Sequence, residues 1–208
     1  MFGNPFAKLI SYIFHPLLMP TFGLWLVLTT NPYIAFMVQP TVAKALYIVV
    51  FISTFVFPVL SSLLLLFTGR IKSLEMQTPE ERRMPYLLTA LYYMVGYYMI
   101  ISKIPLPEEI SLLMLGASLS VVITLVINLF RKISAHAVAI GGLIGAFFGM
   151  GIISPSGIAN PLILLFSMAG IIGYARLKLE AHKPIEVYAG YFLGFLCEFL
   201  LFVFFTDK

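Results

Sequence analysis

The chain is poor in the residues on which most soluble folds depend. Only 11% of its 208 residues are charged, too few to cover the surface of an ordinary globular domain, so water is excluded as its main solvent. It has one cysteine, Cys197, which excludes a disulfide framework and a cysteine metal site and leaves the redox compartment open. Three histidines and nine acidic residues offer no set with metal-ligand spacing. No basic patch interleaved with aromatics appears, so the net charge of +4 is not read as a nucleic-acid footprint. There is no repeat of fixed period and no linker.

What the chain has in abundance is apolar sequence, 61% of its residues. A helical crossing of a bilayer's hydrocarbon core needs about 20 apolar residues. Runs bounded by charge, Pro or Gly give seven candidates, at 9–30, 43–68, 86–102, 110–130, 135–153, 159–174 and 186–205, the sixth being the shortest. The expected fold is all-α, a polytopic transmembrane helix bundle of six or seven crossings that forms a single integral membrane domain over 1–208. The first run carries His15, Pro16 and Pro20 and no small-residue cleavage signal, so it reads as a retained helix rather than a signal peptide.

Seven crossings sort the basic residues unequally. Lys8, Arg70, Lys72, Arg82, Arg83, Arg131, Lys132, Arg176, Lys178 and Lys183 fall on one face, against Lys44, Lys103 and Lys208 on the other. As idle topology signals, ten against three would put the basic face in the cytoplasm. Charges that hold a ligand would not count in that way.

Three polar segments share the basic face. The first, Arg70 to Pro85, mixes four basic with three acidic residues and reads either as a solvated loop or as a source of ligand-binding cations. The second, Arg131 to His136, opens the fifth helix. Ser134 is placed as its N-cap, and the free amides of the first turn, backed by the helix dipole and two adjacent cations, suit an anion. The plainer reading has Arg131 and Lys132 snorkelling to the headgroups and His136 packing at the interface. The third, Arg176 to Glu186, opens the last helix at Pro184. Glu186 lies one turn beyond His182, close enough to take a proton from one ring nitrogen and aim the other outward as a nucleophile; a surface ion pair is the plainer alternative. Cations, a helix N-terminus and two histidines without a carboxylate cluster favour metal-free attack on a phosphate, with one histidine as nucleophile and the other as proton donor.

Ser134-Ala135-His136 and Ala175-Arg176, five residues, His182, three residues and Glu186 resemble two of the three signatures of the type 2 phosphatidic acid phosphatase family, which shares a fold with vanadium haloperoxidases. The likeness covers about the last 80 residues; the first half agrees only in general topology. It implies a membrane hydrolase of bacterial inner-membrane type that needs no cofactor or metal. Its partners would be the bilayer and a lipid phosphate substrate: phosphatidate, phosphatidylglycerol phosphate or a polyprenyl diphosphate. His182 would form a phosphohistidine, Glu186 would orient it and His136 would be the general acid. Ser134, the amide of Ala135 and Arg176 would hold phosphate oxygens. The chain departs from the family at Ile133, Ala135, Ala175 and Glu186, where proline, glycine, serine and aspartate are usual. The family's first signature, Lys, six residues, Arg-Pro, is absent as such. Arg82 and Arg83, with Lys72 and a following Pro85, are the preferred stand-in; Arg131 and Lys132 are the other. Family practice would put the site on the outer side. The rival readings are a non-catalytic lipid-binding or scaffold protein of the same fold, and a small transporter using Glu198, Asn128 and His15.

Outside these motifs, His15 reads as an interfacial or packed histidine. Glu198, about three turns inside the last helix, is a costly carboxylate that suggests function, with Asn128 as its polar partner or as interhelical glue. Gly141, Gly145 and Gly149 recur every four residues, which lets another helix approach closely, with Gly190 and Gly194 of the last helix as the receiving face.

Overall fold

The structure, a computed structural model, describes residues 4–76, 78–103, 106–153 and 157–205, without the side chain of Ile153. Lys208 and parts of the connections at 103–109 and 154–158 lie outside the described residues. Among the described residues there is no strand, and seven helical segments are long and apolar enough to cross a membrane. The protein is an integral membrane helix bundle.

The first segment is not one helix. Helix α1 (Asn4–Ile13) and helix α2 (Met19–Thr30) are joined by a 3-10 turn over Pro16–Leu18. Pro16 and Pro20 have no N–H to continue a helical ladder. A residue before proline is also pushed out of the helical region, and His15 accordingly sits at φ −63°, ψ 135°. The expected unbroken crossing at 9–30 is therefore hinged at His15. A short α3 (Pro32–Met37) follows, and the second segment runs through α4 (Pro40–Phe51), a π turn over Ile52–Val56 and α5 (Phe57–Phe67). Pro58 removes a donor there, and the widened turn absorbs the break. The remaining crossings are α6 (Pro79–Lys103), α7 (Glu108–Asn128), α8 (Ala135–Ile153), α9 (Ala159–Lys178) and α10 (Pro184–Phe205). The crossing that is shortest in sequence, α9, reaches 20 residues.

Helices α8 and α10 form the tightest seam of the bundle. A Cβ on Gly141 would collide with the backbone of Tyr191, one on Gly145 with the backbone of Phe195, and one on Gly194 with the Val138 carbonyl. The expected glycine seam is present on both helices. Its consequence is positional: the first turns of α8 and α10 lie side by side, and the Ser134 amide donates to the Glu186 carbonyl at 3.2 Å. The chain segments at 68–76, 129–134 and 179–183 gather at this end of the bundle, with α1 packed on α9 through Ala7, Ile10 and Ala175.

Candidate functional site

A cavity of about 850 Å³ at the charged end takes lining residues from all three polar segments: Arg82, Lys132, Ala135, His136, Arg176 and His182. All seven crossings contribute to its wall, as do Leu74, Glu75 and Met76 of the connection between the second and third.

His182 stands on the turn between α9 and α10. Its Nδ1 lies 2.9 Å from Glu186 Oε2, and because a carboxylate only accepts, the ring donates from Nδ1 and keeps the lone pair on Nε2. The same carboxylate oxygen accepts the Lys183 amide at 3.3 Å, so its position is held by the helix start as well. Burial, with the Arg176 and Lys132 cations, lowers the His182 pKa to about 4, against the raising influence of Glu186. The ring is therefore neutral at ordinary pH.

His136 is in the first turn of α8. Its Nε2 donates to the Ser11 carbonyl at 3.0 Å. That carbonyl is available because α1 ends at the hinge: the last bond of its ladder runs from the Phe14 amide to Ile10, and no His15 amide closes the next one. Ser11 also accepts, through its hydroxyl, a 3.2 Å bond from the Arg176 NH1 group. The Arg176 Nε is buried and without a partner among the described residues. Such a donor costs about 1–3 kcal/mol if left unmade, and its natural complement is an anion.

Of the two candidate pairs of cations, Arg82 with Arg83 and Arg131 with Lys132, one member of each lines the cavity. Arg82, in the first turn of α6, is turned inward and 7% exposed. Its Nε donates to the Met76 carbonyl at 2.8 Å, with a longer 3.5 Å contact to Asn128 Oδ1. Lys132 reaches the Ala181 carbonyl at 2.6 Å. Partial burial, then the Arg82 and Arg176 cations, lower its pKa, against Glu186. Arg83 and Arg131 are exposed and do not line the cavity. Each is the helical or chain neighbour of an inward residue and so points elsewhere. Lys72 is also exposed; its amide donates to Glu81.

Ser134 needs a similar correction. It is fully buried, its Oγ accepts the Ala137 amide at 3.4 Å, and it does not line the cavity. It acts as the N-cap of α8 rather than as an open phosphate contact. Asn128 meets Arg82 rather than Glu198.

His15 is the residue that sequence reasoning set aside and the structure brings in. It is packed edge-on to Phe55 and to His136, the latter with ring centroids 5.8 Å apart, and it lines the cavity. Its Nδ1 accepts the Leu17 amide at 3.3 Å, which leaves the ring proton on Nε2. The available signal was spacing, since Lys8, Ser11 and His15 recur at three and four residues as polar positions on an apolar helix. Glu75 and Glu180 also line the cavity, so the mouth is of mixed charge. Comparison with protein-family models, curated proteins and solved structures gives no match for the chain.

Proposed function

We propose that the chain is a metal-independent lipid-phosphate phosphatase working through a phosphohistidine. The carrying observation is that an imidazole oriented by a carboxylate lines the same cavity as an arginine with a buried, unpartnered donor. In this reading the phosphate is bound by Arg176, Arg82 and Lys132, whose charges spread over its oxygens and offset those gained in the transition state. The Nε2 lone pair of His182 forms a bond to phosphorus as the bond to the lipid oxygen breaks. His136, anchored through Nε2 by the Ser11 carbonyl and carrying a second proton on Nδ1 once the phosphate's negative charge stands beside it, passes that proton to the leaving oxygen. Water then attacks the phosphohistidine, His136 takes back a proton, and inorganic phosphate is released from His182. The substrate is a phosphatidate, a phosphatidylglycerol phosphate or a polyprenyl diphosphate in a bacterial inner membrane, its hydrocarbon remaining among the helices.

Purified protein in detergent, given each of the three lipids, is expected to release phosphate, and His182→Ala to abolish release while keeping the natural protein's unfolding temperature. Absence of release from all three in the natural protein would leave the scaffold reading of the same fold.

A further inference from the structure

The cavity does not end at the phosphate-binding groups. It continues along α7, where Ser120 and Thr124 line it, together with Thr89 and Tyr93 of α6. Gly116, Ser120, Thr124 and Asn128 share one face of α7 at a spacing of four and cover roughly 18 Å of helix. The Thr124 hydroxyl is buried and has no hydrogen-bond partner among the described residues.

At the level of Gly116 the cavity reaches Glu198 of α10, which is 2% exposed and lines it. Its Oε2 is buried and unpartnered among the described residues. A missing side chain makes room for this carboxyl: a Cβ on Gly116 would collide with its oxygens, whereas one on Gly142 of α8 would stand in ordinary van der Waals contact, 3.4 Å from its Cγ. Gly116 of α7 and Gly142 of α8 stand against it, and Cys197, its neighbour on α10, meets Ser120 of α7. Among the described residues no lysine, arginine or histidine forms an ion pair with it. Met114, Phe147 and Phe202, each 1% exposed, belong to the surrounding apolar core and do not line the cavity.

A plain acyl chain filling this lower cavity would offer nothing to Thr124 or Glu198. Water both donates and accepts, and buried polar groups of this kind are ordinarily met by it. Ionisable residues inside a membrane most often serve proton or ion movement.

We infer that the lower cavity is a one-sided proton path, in which a file of water along Thr124 and Ser120 joins the charged face to Glu198, and Glu198 binds and releases a proton through it. The inference is independent of phosphate hydrolysis at the mouth.

The test is infrared spectroscopy of the protein in lipid nanodiscs transferred from H2O to D2O. The expected result is a protonated-carboxyl stretch that is absent from Glu198→Gln and shifts within minutes of transfer. In Thr124→Val the same band shifts about tenfold more slowly, because the exchange path has lost a polar step. A natural protein without the band, or with a band unchanged after hours in D2O, overturns the path; so does exchange as fast in Thr124→Val as in the natural protein. Should Glu198→Gln fail to fold, dicyclohexylcarbodiimide supplies the assignment. It adds to a buried protonated carboxyl as an N-acylurea, and an unmodified Glu198 peptide by mass spectrometry overturns the inference.

Discussion

His182 and His136 carry the same side chain and are held in opposite orientations by one contact each. Glu186 accepts a hydrogen bond from Nδ1 of His182, and the Ser11 carbonyl accepts one from Nε2 of His136, so the two rings offer opposite nitrogens to the cavity. Glu186→Gln would keep the length of the orienting arm but lose its charge. By analogy with the amide replacement of an orienting carboxylate in serine proteases, phosphate release is expected to fall about 10²–10⁴-fold, measured against His182→Ala as the floor. Burial, against the raising influence of this contact, sets the pH behaviour. An imidazole whose pKa is lowered to about 4 binds its proton only in acid, so His182 stays neutral and nucleophilic well below the ordinary imidazole value near 6.5. Nitrogen-15 spectra of labelled histidine are expected to show its ring titrating on the acid side of that value. In Glu186→Gln, which loses an influence that raises the pKa, titration moves to still lower pH. A His182 titrating at 6.5 or above would refute the burial that the cavity implies. The His182–Glu186 pair was legible in sequence because a four-residue spacing across a helix start is already geometry. Arg82 and Arg83 could not be told apart, because which one faces inward depends on the phase of α6, set by where that helix begins.

At the scale of helices, the seam between α8 and α10 converts missing side chains into the adjacency of two helix starts. Gly194→Ala would force a methyl group against the Val138 carbonyl, and overpacking of this kind costs about 1–3 kcal/mol. Gly170, on α9, has nothing within 4 Å of the added Cβ, so Gly170→Ala is expected to lie within about 0.5 kcal/mol of the natural protein. Thermal unfolding in mild detergent would rank the two. Only Gly194→Ala should also slow phosphate release, since the seam sets the distance between the first turns that carry His136 and Glu186. A period-four row of glycines is readable in sequence because it survives any choice of helix phase. The hinge at His15 and the π turn at Ile52–Val56 were less readable. Pro16, Pro20 and Pro58 were in plain view, but whether a membrane helix bends, widens or breaks at proline depends on which neighbours take over the freed backbone groups.

For the whole molecule, the cavity changes the weight of the charge asymmetry. Of the ten basic residues on the charged face, four line the cavity, namely Lys8, Arg82, Lys132 and Arg176. Six remain against three on the opposite face, so the topology signal outlasts the removal of every cation assigned to a ligand. The charged face is therefore expected to be cytoplasmic, against the outward placement that the family resemblance suggested. Thr78 is exposed at that face. In a Cys197→Ser background, Thr78→Cys should resist a membrane-impermeant maleimide in intact cells and react in inverted vesicles; the reverse pattern would restore the outward reading. That the chain crosses six or seven times was legible because hydrocarbon thickness imposes its own period on sequence. The shared cavity was not, since nothing in a linear reading brings residue 11 to residues 136 and 176. That convergence has a practical consequence. The stretch before Met19 looks dispensable, a short leading helix set off by prolines, and would be an obvious choice for trimming in any effort to simplify the protein. Removing it would take away the acceptor that steadies one imidazole and the hydroxyl that meets the guanidinium, and the shortened chain would be mistaken for one with a damaged catalytic residue.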